Sequence, residues 1–112
     1  TFGHAIEAAL GYGRWLHGEA VGCGMVMAAD LSARLGLVAS AYVERLTRLI
    51  AEAGLPIHAP AVDPDALIEL MRIDKKSQAG EIRFVVIEGE GRASVRPAPD
   101  ALVREVIGAH SA

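Results

Sequence analysis

Residues 17–36 read HGEAVGCGMVMAADLSARLG, and this stretch decides the fold. Apolar residues dominate it, no proline interrupts it, and Gly36 stands where a left-handed C-terminal stop belongs. The pattern predicts one long helix from near His17 to Leu35. Its oddity is Gly18, Gly22 and Gly24, since each interior glycine costs about 1 kcal/mol relative to alanine in a helix. Close packing against another backbone is the favoured explanation, and close approach of a ligand is the functional one. Both can hold, because Gly18 stands beside His17.

Toward the N-terminus, Ala5, Ile6, Ala8, Ala9 and Leu10 predict a short apolar helix, preceded by His4 and stopped by Gly11-Tyr12-Gly13. Toward the C-terminus, Ser40 is the candidate N-cap of a third helix. Val43, Leu46, Ile50 and Ala53 form its apolar stripe, Leu49 widens it, and Gly54 ends it. Arg45, Arg48 and Glu52 fall on its wet side. Pro56 and Pro60 mark an irregular connection. Asp63-Pro64 then pairs a capping carboxylate with proline at the first helical position. That helix carries Leu67, Ile68 and Met71 and is expected to end near Ile73.

One strand is expected from Glu81 to Glu88, with apolar residues on both faces. It turns through Gly89-Glu90-Gly91 and returns over Ala93 to Arg96. Asp100 is expected to cap a last helix through Leu102, Val103, Val106 and Ile107. The fold class is mainly α, a helical bundle with one small β-hairpin.

The composition agrees. The 112 residues fit one domain, and 52% hydrophobic content with mean hydropathy +0.31 is enough to build a core. Twenty alanines against five aromatic residues favour closely packed helices over a sheet-rich sandwich. The formal charge of −3 provides no basic field for nucleic acid or an anionic membrane. Charges and glycines break every apolar run before the roughly eighteen residues that a membrane span needs. The lone Cys23 excludes an intramolecular disulfide and a multi-cysteine metal site, and a cytoplasmic location is expected. The chain opens Thr1-Phe2-Gly3-His4, without Met or a signal-peptide pattern, and reads as a piece of something longer.

Four histidines are available for chemistry. His110, near the chain end, is expected in solvent, and His58, between prolines, in a loop. His4 and His17 differ: if their helices pack as a hairpin, both imidazoles approach one mouth, where a metal ligand or general acid–base would work. Their spacing is not a metal-ligand pattern, and a histidine at a helix start is more often a cap. Glu19 either complements the helix dipole or orients His17. Asp74-Lys75-Lys76 carries the protein's only lysines. Adjacent lysines are usually a solvated surface, yet a compact ammonium also suits a phosphate oxygen. No dinucleotide-binding glycine fingerprint and no phosphate loop of the G-x-x-x-x-G-K type occur. Cys23, in an apolar helix, reads as packing rather than nucleophile.

The run Thr1-Phe2-Gly3-His4-Ala5-Ile6-Glu7-Ala8, the turn Gly11-Tyr12-Gly13 and then Leu16-His17-Gly18-Glu19-Ala20-Val21 strongly resemble 3-dehydroquinate synthases. So do Asp74-Lys75-Lys76 and Gly80-Glu81-Ile82-Arg83-Phe84-Val85. The likeness is to that family's C-terminal helical domain, about a third of its usual polypeptide. It implies a metal- and substrate-binding domain over residues 1–112, with the NAD-binding N-terminal domain absent. The implied parent is a phosphate-eliminating lyase of the shikimate pathway to aromatic amino acids and chorismate. It converts 3-deoxy-D-arabino-heptulosonate 7-phosphate to 3-dehydroquinate, using NAD and a divalent metal, zinc or cobalt.

Carried over, the resemblance makes His17 a metal ligand and places His4 near the leaving phosphate as a catalytic and phosphate-binding residue. Lys75 or Lys76 becomes the phosphate-binding lysine, and Glu19 a support behind His17. The histidine that should immediately precede Thr1 is missing, and the glutamate ligand belongs to the absent domain. A catalytic zinc needs three protein ligands, of which this chain supplies one. The fragment alone is therefore expected to bind zinc weakly, to bind no NAD and to be inactive. The implied partners are a small sugar phosphate, the N-terminal domain and a second copy of the parent, with no nucleic acid or membrane. Three alternatives stand beside this: a related sugar phosphate cyclase, an iron-dependent alcohol dehydrogenase, and a stand-alone helical binding or dimerisation module.

Overall fold

A computed structural model describes residues 1–11, 13–76 and 82–111, and for 74–76 the backbone alone. The element order is α1 (Phe2–Leu10), α2 (His17–Arg34), α3 (Ser40–Glu52), α4 (Pro64–Lys76), β1 (Phe84–Gly89), β2 (Arg92–Arg96) and α5 (Asp100–Ala109). This is the expected helical bundle with one antiparallel hairpin.

The long α2 is the hub. It packs against α1, α3, β1 and α5, while α4 closes the bundle against α1 and α5. Ile6, Met27, Leu31, Leu67, Met71, Val86, Val103, Val106 and Ile107 are fully buried between them. Each such side chain contributes roughly 1.5–3 kcal/mol by leaving water. Phe2 and Phe84 join α1 to β1, with ring centroids 5.2 Å apart.

Two of the α2 glycines are explained by packing. A Cβ on Gly24 would lie 2.8 Å from the Gly3 nitrogen and 3.1 Å from its Cα, so α1 and α2 meet backbone to backbone. A Cβ on Gly22 would press on side chains, Leu55 at 3.2 Å and Ile50 at 3.5 Å. Gly18 departs from the packing explanation, because nothing lies within 4 Å of its Cβ position. The glycine stops of α2 and α3 form as read. At Gly36 (φ +79°) the Gly36 N–H donates to Ala33 O and the Leu37 N–H to Ser32 O, which satisfies the last carbonyls of α2. Gly54 and Leu55 repeat that pair of bonds at the end of α3.

Three helix starts differ from those expected. α1 begins at Phe2, so His4 lies inside its first turn rather than ahead of it; Phe2, Ala5 and Ile6 bury one face and draw the helix forward. Ser40 is the first residue of α3 and not its cap; Ala39 holds the extended capping position, and no side chain bonds the free N–H groups. Asp100 likewise opens α5 without capping it, its carboxylate being paired with Arg72 of α4. Asp63 does cap α4, accepting the Asp65 N–H at 3.1 Å. That helix runs past Ile73 to Lys76. Leu49 is 63% exposed and so stands outside the α3 stripe.

The hairpin is shorter than expected at its start, beginning at Phe84; Glu81 lies outside the described residues. Phe84 pairs with Arg96 and Val86 with Ser94, and an irregularity falls between Ile87 and Gly89. Phe84 and Val86 point into the core, whereas Val85 and Val95 are exposed. Ser32, fully buried on α2, anchors the sheet. Its Oγ donates to Ala28 O at 2.7 Å and accepts the Ile87 N–H at 2.8 Å. At the other end, the Ala59 N–H donates to His110 O at 2.7 Å, tying the 55–63 connection to the end of α5.

Candidate functional site

The α1–α2 contact that requires Gly24 also brings together the ends that carry chemistry. On α1, His4 and Glu7 are three residues apart and share one face. The turn after Leu10 delivers Leu16, whose extended backbone starts α2 at His17. The imidazoles of His4 and His17 face each other at 29° with centroids 6.5 Å apart, and both residues are exposed. His17 Nδ1 lies 2.5 Å from Glu7 Oε1. That carboxylate is sheltered, with a side chain 13% exposed, whereas the His17 side chain is 69% exposed.

Glu19 is engaged at the start of α2. Its Oε1 accepts the Leu16 N–H at 2.8 Å, satisfying a donor that the helix leaves free. Glu7 is the carboxylate that meets His17, and sequence reasoning passed over it. The available signal was its i+3 spacing from His4 on the same helix.

An apolar groove of about 430 Å³ opens beside His4, with Phe2, Val21, Met25, Tyr42 and Phe84 among its walls. Gly18, with open space above its Cα, leaves the surface next to His17 uncovered. The backbone of Lys75 and Lys76 forms the last turn of α4, which packs on α1. The side chains of Asp74, Lys75 and Lys76 lie outside the described residues. So do residues 77–81, which include Gly80 and Glu81 of the second motif.

As a metal holder the donor set is partial. An imidazole held at Nδ1 by a carboxylate offers Nε2 as a donor, which is the usual arrangement of a metal-binding histidine. Among the described residues, no three His, Cys, Asp or Glu side chains cluster closely enough to hold an ion by themselves. Of the described residues at this corner, His17 presents one exposed imidazole with the chemistry of a single metal ligand.

The other two histidines meet elsewhere. His110 is not in solvent: its side chain is 16% exposed, and Nε2 lies 2.7 Å from Asp30 Oδ2. Asp30 also takes Arg34 Nε at 3.0 Å, and this bond chiefly holds the guanidinium even more firmly protonated. His58 stacks on His110 with centroids 6.1 Å apart and remains exposed. Cys23 is fully buried, and burial pushes its thiol up to about 11, so it is a packing residue. No helix among the described residues is long and apolar enough to cross a membrane.

The family described as 3-dehydroquinate synthase C-terminal matches residues 1–77, which include both site histidines. A solved structure of 2-deoxy-scyllo-inosose synthase complexed with carbaglucose-6-phosphate, NAD+ and Co2+ is similar over 95% of this chain, with TM-score 0.74 and 27% identity. The match covers 32% of that synthase, so the chain spans about a third of its length.

Proposed function

Because the chain belongs to the 3-dehydroquinate synthase C-terminal family, we propose that it is the metal- and phosphate-binding part of a longer enzyme making 3-dehydroquinate from 3-deoxy-D-arabino-heptulosonate 7-phosphate. The observation that carries the proposal is the meeting of His4 and His17. They are thirteen residues apart in the matched segment, and their rings lie 6.5 Å apart at one exposed corner.

In this reading His17 Nε2 is a ligand of a divalent ion, zinc or cobalt. Such an ion would supply polarisation of substrate hydroxyls, and NAD would supply reversible hydride transfer. The exposed His4 imidazole stands beside that position and hydrogen-bonds the phosphate as it departs. Lys75 or Lys76, at the end of α4, neutralises phosphate charge as a compact cation. An apolar groove lies next to His4 on that side. The remaining metal ligands and the NAD pocket come from an N-terminal domain, and the enzyme works in the cytoplasm as a homodimer. The 112 residues alone are expected to be inactive, since a catalytic zinc takes three protein ligands.

A second reading is favoured by the inosose synthase neighbour: a sugar phosphate cyclase that takes a hexose 6-phosphate instead. Both readings use the same histidine corner. The separating experiment offers the longer enzyme the heptulosonate phosphate and a hexose 6-phosphate in parallel, with NAD and cobalt present. Phosphate release and 3-dehydroquinate from the first substrate alone support the proposal. Turnover of only the second establishes the other cyclase, and turnover of neither removes both.

A further inference from the structure

We infer that Glu7 is a positioning residue that sets the tautomer and aim of His17. This rests on the metal-site reading of His17, and it adds a group to which the sequence reading gave no role. Glu7 lies on the face of α1 that carries His4, and its Oε1 is 2.5 Å from His17 Nδ1.

The asymmetry of the pair decides which partner serves which. The imidazole projects into solvent, with a side chain 69% exposed, while the carboxylate is 13% exposed in the α1–α2 corner. An exposed histidine on the first turn of a helix has several rotamers and two tautomers available. A carboxylate bonded at Nδ1 selects the tautomer with its proton on Nδ1 and turns the Nε2 lone pair outward. Glu7 itself is held by α1, and α1 is fixed to α2 by the backbone contact of Gly3 with Gly24. Helix packing thereby becomes aim at the ligand nitrogen. Glu19, the nearer carboxylate in sequence, has its own partner in the Leu16 N–H.

The test has one arm that needs no metal. In the 112-residue chain labelled at the imidazole nitrogens, at about pH 8, where an ordinary histidine is neutral, long-range nitrogen–proton correlations report which nitrogen carries the proton. The expected result is Nδ1–H for His17, lost in Glu7→Ala. A wild-type His17 protonated on Nε2 overturns the inference without any variant.

The second arm measures Co2+ affinity of the longer enzyme by chelator competition. Glu7→Ala is expected to weaken it by about 10- to 100-fold, the usual cost of removing such a support. Glu7→Gln keeps the side-chain size and guards against a folding defect; it is expected to weaken binding by less than Ala does, because its amide oxygen still accepts from Nδ1, though less strongly than a carboxylate. Affinity within twofold of wild type in Glu7→Ala overturns the inference, and where Glu7→Ala does not fold, unchanged affinity in a folded Glu7→Gln overturns it instead. His17→Ala separates the two levels. If it keeps Co2+, the metal reading fails; if it loses Co2+ while Glu7→Ala does not, only the positioning role fails.

Discussion

Gly24→Ala offers the sharpest stability test, because two physical terms oppose each other and the geometry decides between them. Alanine in a helix interior gains about 1 kcal/mol over glycine by propensity alone. Against this, the added methyl would sit 2.8 Å from the Gly3 nitrogen and 3.1 Å from its Cα. Those atoms are backbone, held in the first turn of α1, so no side chain can swing aside. Overpacking of this kind typically costs about 1–3 kcal/mol, and a backbone neighbour places it toward the upper end. The net expectation is a loss of about 1–2 kcal/mol, combining the two terms. Gly18→Ala, in the same helix, meets nothing within 4 Å and is expected to hold or raise stability. Urea unfolding of the three proteins measures this as a shift in midpoint at constant slope. A Gly24→Ala midpoint equal to or above wild type would refute the backbone-contact account of α1 and α2.

Ser32→Ala strips the partly buried Ile87 N–H of its acceptor, so a loss of about 1–3 kcal/mol is expected. Faster amide exchange at Ile87 than elsewhere in β1 checks that the hairpin anchor was the part removed. For Cys23 the folded-state thiol, pushed by burial to about 11 from 9.0, binds its proton over a pH range where the unfolded thiol has lost it. Its contribution is therefore fully present below about pH 9 and falls toward pH 11, by at most about 1.4 kcal/mol per unit. A smaller alkaline loss of stability in Cys23→Ala than in wild type, by chemical unfolding across that range, is the expected readout. A native thiol that reacts with an aromatic disulfide at the rate of a free cysteine would contradict the buried placement.

What the sequence made legible follows physical range. Gly36 and Gly54 act within one turn of their helices, and Asp63-Pro64 acts within two residues, so all three were readable as stops or starts. Ser40 and Asp100 show the same chemistry misread. Both residue types favour capping, but Ala39 and Pro99 hold the capping positions, and Asp100 is taken by Arg72, 28 positions away in sequence. The sheltering of His110 is illegible in sequence because its partner Asp30 is 80 positions away, across the α2–α5 contact. The corner of His4 and His17 was foreseeable as a consequence of hairpin packing. Glu7 was not, since nothing local to a short helix marks one of its charges as sheltered. Its sheltering depends on how closely Gly3 and Gly24 let α2 approach.

The central claim is that His17 holds a catalytic metal ion, and the metal content of the longer enzyme with His17→Ala tests it most directly. After loading with Co2+ and removal of free ion, the account expects wild type to retain the metal. The variant is expected to lose it, together with phosphate release from the heptulosonate phosphate, while still unfolding cooperatively. A His17→Ala enzyme that keeps its cobalt in full and turns over would contradict the account.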